Sequence, residues 1–215
     1  MKPYFETKLG KLYCGDCLEF MQTMEDKSVD LVLTDPPYGI NFVSNYRTTK
    51  YEKIVGDENY PIKAINDCLR IAKNAVYTFC RWDNIYDLPK PKSILAWVKN
   101  NWSMGDLQHE HGRMWEACLF YCLEEHKFIR RIPDVIKAIR TGNKYHPTEK
   151  PISLMKTIIE SNVGEEILDP FLGSGTTAVA CEKLGRKWIG IEISEKYCEI
   201  AAKRISAEAK QGKLF

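Results

Sequence analysis

Short apolar runs alternate with amphipathic stretches along the chain, and this alternation constrains the fold more than any other feature of the sequence. Short apolar runs are typical of buried strands, and an apolar residue every third or fourth position is typical of helices. A chain that alternates between the two forms an α/β fold, with a mostly parallel sheet and helices on both faces. Strands are predicted at 11–14, 29–34, 75–80, 93–98, 117–122, 166–169 and 188–193.

Local signals predict where three of the helices begin. The first signal is Asn59-Tyr60-Pro61, which combines a capping residue with an early proline. The second helix follows Pro151, and the last begins at Ser194. No convincing helix separates the strands 93–98 and 117–122, so they are predicted to form an antiparallel hairpin at one side of the sheet.

Length and composition fit one ordinary globular domain. The chain has 215 residues, of which 44% are hydrophobic and 28% charged, and we expect a single domain over 1–215. No stretch approaches the ~20 apolar residues that a membrane span needs. The N terminus lacks the apolar core of a signal peptide, so the cytoplasm is the expected location.

The eight cysteines raise the question of a metal site. Cys14-Gly15-Asp16-Cys17 has the spacing of a metal-binding pair, but no second pair of this kind follows. His109, His111, Cys118 and Cys122 show no regular zinc-finger interval. Free reduced thiols and no metal are therefore predicted, since unpaired cysteine often acts as a small buried hydrophobe.

Asp35-Pro36-Pro37-Tyr38 directly follows the buried strand predicted at 29–34. Open α/β sheets bind their ligands at the carboxyl ends of the strands. The two prolines fix φ and have no N–H, so they end the strand and leave carbonyl oxygens free to accept hydrogen bonds. A carboxylate, free carbonyls and an aromatic ring together predict a site for a planar amine.

A second motif, Asp169 to Thr177, follows the short strand 166–169 and precedes a helix. Gly173 and Gly175 allow a tight turn that brings backbone N–H groups close to a ligand. Glu192 ends the next strand 17 residues after Gly175, close to the ~20-residue offset at which such folds hold a ribose. The motif lacks a third glycine, which favours an adenosyl ligand without phosphates.

The order of these motifs resembles the S-adenosylmethionine-dependent DNA amino methyltransferases in their β-class arrangement. The motifs that carry the resemblance are Gly15-Asp16, Asp35-Pro36-Pro37-Tyr38, His146-Pro147-Thr148-Glu149-Lys150-Pro151, the run from Asp169 to Thr177, and Gly190-Ile191-Glu192-Ile193. The resemblance implies a Rossmann-like methyltransferase sheet of seven mostly parallel strands. Their order is circularly permuted, so that the usual first strand, 166–169, comes sixth. The resemblance also implies S-adenosyl-L-methionine as cofactor and double-stranded DNA as substrate.

The resemblance assigns roles to individual residues. The catalytic residues would be Asp35, Pro36, Pro37 and Tyr38. The cofactor contacts would be Asp16, Asp35, Lys150, Asp169, Phe171, Gly173, Ser174, Gly175, Thr176, Thr177 and Glu192. Ordinary structural roles remain open for some of them, such as a turn at Gly15-Asp16, core packing for Phe171 and a helix cap for Thr177.

One residue of the catalytic motif bears on which base is methylated. Within the family, aspartate before Pro-Pro-Tyr usually accompanies the N6 amine of adenine, and serine usually accompanies the N4 amine of cytosine. Asp35 therefore favours adenine, with cytosine as the alternative. A catalytically silent nucleic-acid-binding paralogue is a further alternative, and the intact motifs argue against it. A restriction–modification partner is left open.

A basic segment predicts where DNA is contacted. From Lys127 to Lys150 there are seven basic residues and two acidic ones, although a solvated charged face is the simpler explanation. The candidate recognition segments are 41–57 and 123–146. The candidate DNA contacts are Arg47, Lys50, Lys53, Lys127, Arg130, Arg131, Arg140 and Lys144.

The C-terminal residues Gln211, Leu214 and Phe215 resemble the short peptide with which bacterial proteins bind the replication sliding clamp. Packing of the two apolar residues against the domain is the favoured alternative. A homodimer is compatible with the sequence.

Overall fold

A mixed sheet forms the centre of the protein in the computed structural model, which describes residues 2–41, 56–103, 108–109, 111–124 and 126–211. Nine strands are present within these ranges. They are β1 (Phe5–Glu6), β2 (Gly10–Cys14), β3 (Val29–Thr34), β4 (Ala72–Cys80), β5 (Ser93–Ser103), β6 (Arg113–Cys122), β7 (Val135–Lys137), β8 (Glu166–Asp169) and β9 (Lys187–Glu192).

The strand order across the sheet is β1-β2-β9-β8-β3-β4-β6-β5-β7. The five neighbours from β2 to β4 are parallel, so their carboxyl ends meet along one edge. We call this the site edge. β6 is antiparallel to both β4 and β5, and β7 is parallel to β5. β5 and β7 therefore also end at the site edge, while β6 begins there.

Helices cover both faces of the sheet. The described helices are α1 (Cys17–Gln22), α2 (Ile62–Ile71), α3 (Ile152–Ser161), α4 (Thr176–Leu184) and α5 (Glu195–Gln211), together with a short 3-10 turn at Asn84–Asp87. One core contains apolar residues of α3, α4 and α5, and the other contains those of α1 and α2. Each core packs against sheet residues such as Leu31 on one side and Val32 on the other, because successive strand residues point to opposite faces.

The predicted α/β class and the antiparallel hairpin are confirmed. β5 and β6 pair in register through Ala96 and Ala117. The number of strands was predicted too low, because β1 and β7 have two and three residues and are too short to show a period. The strand 166–169, expected sixth, is therefore the eighth strand in chain order.

Helix starts follow the proline signals closely. α2 begins at Ile62 after Pro61, and α3 begins at Ile152 after Pro151. Asn59 does not cap α2, because the residue at the cap position is Pro61, which makes no side-chain cap bond. α1, which the sequence did not indicate, is short, and the Asp16 side chain caps it by accepting a bond from the Leu18 N–H at 2.7 Å.

The eight cysteines are all free thiols. Among the described residues, no group of three or more histidine, cysteine or acidic side chains has the arrangement of a metal site. The described part of the chain contains no helix that is long and apolar enough to cross a membrane.

Candidate active site

A cavity of about 300 Å³ opens at the site edge of the sheet. It lies beside the ends of β2, β3, β8 and β9, where the parallel strands of an open α/β sheet leave a crevice. Most of the residues predicted as catalytic or cofactor-binding line it. These are Asp16, Asp35, Pro36, Pro37, Lys150, Asp169, Phe171, Gly173, Ser174, Thr176, Thr177 and Glu192.

Gly175 and Tyr38 are the predicted site residues near this cavity that do not line it. Gly175 occupies the N-cap position of α4 with φ +89°, and a Cβ there would lie 3.0 Å from the Cβ of Ala201. Its glycine is therefore required by the turn and by the close packing of α4 against α5. Gly173, at φ +54°, lines the cavity, and a Cβ there would lie 3.9 Å from the His146 ring without a clash.

Asp169 shapes the loop that enters α4. Its carboxylate accepts bonds from the hydroxyls of Thr34 at 2.7 Å and Thr177 at 2.6 Å, and from the Phe171 N–H at 3.1 Å. Burial raises the pKa of Asp169 to about 6, and these three hydrogen bonds oppose the rise. The threonine hydroxyls thus join the ends of β3 and β8 to the first turn of α4.

Glu192 lies at the end of β9 and fixes the other side of the same loop. One of its oxygens accepts the N–H of Gly173 at 2.8 Å, and the other accepts the N–H of Ser194 at 2.8 Å. Burial raises the pKa of Glu192, whereas the backbone N–H groups lower it. A carboxylate oxygen has two acceptor positions, so each oxygen can accept a further bond from a ligand hydroxyl in the cavity.

Asp35 belongs to a network of charged side chains. The Lys150 ammonium lies 2.6 Å from one Asp35 oxygen, and the Tyr38 hydroxyl lies 2.9 Å from the other. Lys150 also contacts Glu116 at 3.1 Å, and Glu116 in turn contacts Lys99 at 2.5 Å. The two carboxylates and the two ammonium groups balance in charge.

The pKa values in this network reflect burial and the neighbouring charges. Burial raises the pKa of Asp35, and the ammonium of Lys150 opposes that rise. Burial acts in the same direction on Glu116, but Lys150 and Lys99 outweigh it and lower the pKa of Glu116 to about 2. Burial opposes the charge of Lys150, but the two carboxylates raise its pKa. Glu116 and Lys150 are therefore charged near neutral pH.

A smaller cavity of about 30 Å³ adjoins the first. Its lining includes Tyr38, Ile40 and Asp57, which do not line the large cavity. Four residues line both cavities: Asp35, Pro36, Pro37 and Thr148. The Asp35 motif therefore forms the boundary between a large cavity at the strand ends and a small one that Tyr38 helps to line.

Known proteins share this motif order and fold. Residues 82–203 match a family model described as DNA methylase. YubD of Escherichia coli (strain K12), which is named as a methylase, is 31% identical over 93% of this chain and 91% of its own length. The type II methyltransferase M.BamHI of Bacillus amyloliquefaciens is 30% identical over 100% of this chain, which spans only 61% of that enzyme.

Solved structures agree with these sequence comparisons. A crystal structure of an M1.HpyAVI–SAM complex superposes with a TM-score of 0.66 at 28% identity, over 91% of this chain and 100% of that one. A PvuII DNA methyltransferase described as cytosine-N4-specific gives a TM-score of 0.72 at 16% identity, over 98% of this chain and 94% of that one. At that identity, the second similarity shows the fold alone.

The chain belongs to the S-adenosylmethionine-dependent DNA amino methyltransferases. The family model covers more than half of the chain, and YubD matches almost all of it. The predicted family, fold class and cofactor are thereby confirmed. The protein is a DNA methyltransferase of the N6/N4 type that uses S-adenosylmethionine.

Several residues of the methyltransferase site were missed by sequence analysis. Glu116 lies on β6, far from any motif, and nothing in the sequence marks it. His146 lines the cavity with its ring 4.5 Å from that of Tyr197, and burial, with a contribution from Lys150, lowers the pKa of His146 to about 4. His146 is the first residue of one of the motifs that carry the family resemblance, so its position in the sequence could have indicated that it belongs to the site.

Arg204 on α5 was also missed. Its guanidinium donates to the backbone oxygen of Ser174 at 2.8 Å and to the Ser174 hydroxyl at 2.7 Å. It also lies 2.8 Å from a carboxylate oxygen of Glu149, in a pair that is almost fully buried. Arg204 therefore joins the loop after β8 to the segment that carries Lys150.

The predicted DNA contacts divide between the two edges of the sheet. Arg140 and Lys144 follow β7 at the site edge, on the side of Asp35. Lys127 and Arg130 lie at the opposite edge, where the Lys127 carbonyl bonds to Val163 and Arg130 pairs with Glu160. Arg131 is exposed and follows in the same connection. The structure therefore does not bring Lys127, Arg130 and Arg131 to the site.

Some predicted contacts fall outside the described residues. These are Arg47, Lys50 and Lys53 in the first candidate segment, and Leu214 and Phe215 at the C terminus. Gln211 is the last residue of α5. The sliding-clamp peptide and the 41–57 recognition segment remain predictions.

Proposed function

We propose that this methyltransferase transfers a methyl group from S-adenosylmethionine to the N6 amine of an adenine that is flipped out of duplex DNA. The observation that carries the proposal is that two cavities meet at Asp35, Pro36 and Pro37. The large cavity suits the cofactor and the small one suits the amine edge of a base. Asp35 and Pro36 have acceptor oxygens at this boundary, where an amine in the small cavity would meet the methyl group of a cofactor in the large one.

The large cavity has the size and lining that an adenosyl cofactor requires. Its volume of about 300 Å³ is that of a small-ligand site. Glu192 offers acceptor positions to ribose hydroxyls, and Phe171 offers an aromatic surface. S-adenosylmethionine supplies an electrophilic methyl group on a sulfonium. The proposed cofactor contacts are those predicted from the motifs, with Gly175 acting through the turn that it shapes.

Asp35 and Pro36 activate the amine in this proposal. The lone pair of an exocyclic amine is delocalised into the base, which makes the nitrogen a weak nucleophile. The Asp35 carboxylate and the Pro36 carbonyl accept its two N–H bonds, which favours a more tetrahedral nitrogen with an available lone pair. Tyr38 lies beside the small cavity, where its ring can stack on the flipped base.

Positive and aromatic side chains at the site edge support DNA binding there. Arg140 and Lys144 follow β7 at this edge. Trp102 and Trp115, at the ends of β5 and β6, have 65% and 47% of their surface exposed. We therefore propose that the duplex lies across the site edge, within a single domain formed by residues 1–215. Basic side chains contact phosphates, and exposed rings offer stacking surfaces.

The two basic groups provide a matched test of this orientation. Arg140→Ala should weaken DNA binding and reduce the slope of log affinity against log salt by roughly one, because one phosphate contact is lost. Arg130→Ala, at the opposite edge, should leave both quantities unchanged. Equal effects of the two substitutions, measured by salt titration of duplex binding, would contradict the proposed orientation.

The N4 amine of cytosine is the second candidate substrate. It presents the same two N–H groups, and one structural neighbour is described as specific for it. Asp35 favours adenine, because aspartate at this position of the motif usually accompanies N6 methylation in the family. The distinction depends on one side chain, so it requires a direct test.

Expression in a host without DNA methylation, followed by sequencing that maps modified bases, tests the proposal. The expected product is N6-methyladenine at a defined sequence. N4-methylcytosine would correct the base alone, whereas unmodified DNA from a host that contains the folded protein would support the silent paralogue. Asp35→Ala serves as the matched control and should leave the DNA unmodified.

A further inference from the structure

Glu116 lies beside Asp35 without belonging to any of the motifs. It is located on β6, in the antiparallel part of the sheet, and 21% of its side chain is exposed. One of its carboxylate oxygens lies 3.1 Å from the Tyr38 hydroxyl and 3.1 Å from the Lys150 ammonium. Those two groups are also the side-chain donors that occupy Asp35.

The Tyr38 hydroxyl has one proton and two carboxylate acceptors. It lies 2.9 Å from Asp35 and 3.1 Å from Glu116, and it cannot donate its proton to both at once. The Lys150 ammonium donates to this hydroxyl at 3.1 Å, which occupies one of the oxygen's acceptor positions. Asp35 and Glu116 therefore compete for the Tyr38 proton, and they share the Lys150 ammonium, whose three N–H groups reach both carboxylates.

This competition matters because Asp35 must be an acceptor for the substrate amine. With Lys150 on one oxygen and Tyr38 on the other, each Asp35 oxygen already holds one donor, which weakens it as an acceptor at the position that it has left. Glu116 is a second carboxylate within reach of both donors, so it offers them an alternative acceptor. The Lys99 ammonium, 2.5 Å from the other Glu116 oxygen, keeps the whole group electrically balanced while this happens.

The surroundings contain further ionisable groups, which are contributed by several elements. Those that face Asp35, Glu116 or the Lys150 ammonium in the described structure are Tyr38, Tyr60, Cys80, Lys99, Glu116, Cys118, His146, Lys150 and Asp169. Burial raises the pKa of Tyr38 and of both cysteines, and lowers that of His146 to about 4. Near neutral pH these groups are uncharged, so the charges that act on Asp35 come mainly from Lys150 and Glu116, with Asp169, whose pKa is about 6, as a further carboxylate.

We propose that Glu116 is a positioning residue for methyl transfer, which draws the Tyr38 proton and the Lys150 ammonium away from Asp35 when the amine arrives. Asp35 is then a stronger acceptor for the N–H groups of the substrate. This inference rests on the proposed amino methyltransferase function. It assigns to β6 a part in catalysis that the motifs do not indicate.

Glu116→Gln tests the inference, because glutamine keeps the size of the side chain and removes its charge. Lys150 and Tyr38 then remain on Asp35, so single-turnover methyl transfer should slow about 10- to 100-fold. The dissociation constant for S-adenosylmethionine should change less than about twofold, since Glu116 does not line the large cavity.

The pH profile separates positioning from a purely structural role. The charge of Glu116 raises the pKa of Asp35, so the acidic limb of the transfer rate should move to lower pH in Glu116→Gln. Stronger pairing of Lys150 with Asp35 moves it in the same direction. A structural defect would lower the rate at every pH without moving the limb.

Two further variants complete the experiment. Glu160→Gln makes the same change on the surface of α3 and should leave rate and profile as in the wild type. Glu116→Gln leaves the buried Lys99 ammonium unpaired, so Lys99→Met is added to remove that cation and protect folding. The double variant should still transfer methyl groups slowly, and the acidic limb of its pH profile should still be shifted.

The outcomes distinguish the inference from the function on which it rests. Suppose that the wild-type protein methylates DNA and that folded Glu116→Gln, or the folded double variant, keeps the wild-type rate and the wild-type acidic limb of the pH profile. That result would overturn the role of Glu116 and leave the proposed function intact. A wild-type protein that transfers no methyl group to DNA in the same assay would overturn the proposed function.

Discussion

The cofactor side of the site is held by hydrogen bonds to two isolated carboxylates, whereas the Asp35 side is held by a network of opposite charges. On the cofactor side, Asp169 and Glu192 accept bonds from two threonine hydroxyls and three backbone N–H groups. On the Asp35 side, two carboxylates share the ammonium of Lys150. The first arrangement fixes a loop rigidly, and the second can exchange partners without losing charge balance.

This difference corresponds to the tasks of the two sides. A cofactor is bound in one geometry, so rigid backbone donors and well-packed glycines suit it. In the proposed function the amine competes with the donors that Asp35 already holds, so alternative partners for those donors are useful. In the proposed function, the charged network therefore serves the chemical step, and the loop serves binding.

Removal of Lys150 should have the largest effect on stability. Lys150→Met leaves two mostly buried carboxylates without their shared cation, which should cost about 3–5 kcal/mol in the free energy of unfolding. Urea unfolding measures this. Lys156→Met, on the surface of α3, is the matched control and should change little. A loss below about 1 kcal/mol for Lys150→Met would show that the network is not essential for folding.

Asp169 should show a distinct pH dependence. Its folded pKa of about 6 lies above the 3.8 of an unperturbed aspartate, so its contribution to stability is complete below pH 3.8 and is lost as the pH rises through 6. Asp169→Asn has no such loss. Between pH 4 and 7 the variant should therefore gain roughly 2 kcal/mol relative to the wild type.

The measurement is the difference in the free energy of unfolding between the two proteins across this pH range. A constant difference would mean that Asp169 titrates normally. The comparison of the two sides would then lose its evidence that Asp169 is buried and rigidly held.

Arg204 should have a smaller effect, which is confined to the cofactor side. Arg204→Lys cannot reproduce the bonds to Ser174 and Glu149, so S-adenosylmethionine should bind about tenfold more weakly. The rate of transfer at saturating cofactor should change little. Lys203→Met, on the exposed side of α5, is the matched control. A reduced rate with unchanged cofactor affinity would contradict the separation of the two sides.

The cofactor side was largely predictable from the sequence, because its parts are local. Asp169, Gly173 and Glu192 lie at strand ends or in the turn that follows, and their spacing reflects one strand–helix–strand unit. Asp35 was found for the same reason. The confirmed hairpin likewise follows from two neighbouring apolar runs without a helix between them.

The charged network could not be predicted, because its members are brought together by sheet register rather than by spacing. Glu116 and Lys99 reach the site through the antiparallel pairing of β5 and β6. The basic segment shows the opposite case, in which residues that are close in sequence lie far apart in the fold. β7 lies within this segment and runs toward the site edge, which leaves Arg130 at the opposite edge and Arg140 at the site edge. A continuous run of charge in sequence is therefore divided in space.

The central claim is that the essential role of Asp35 is to accept the amine, although Asp35 also lines the cavity proposed for the cofactor. It is tested by measuring S-adenosylmethionine affinity and methyl transfer on the same preparation of Asp35→Ala. The account predicts cofactor affinity within a few-fold of the wild type and transfer reduced by at least about 10³-fold, because the acceptor for the amine is gone. Loss of both activities together in a folded protein, or transfer near the wild-type rate, would contradict it.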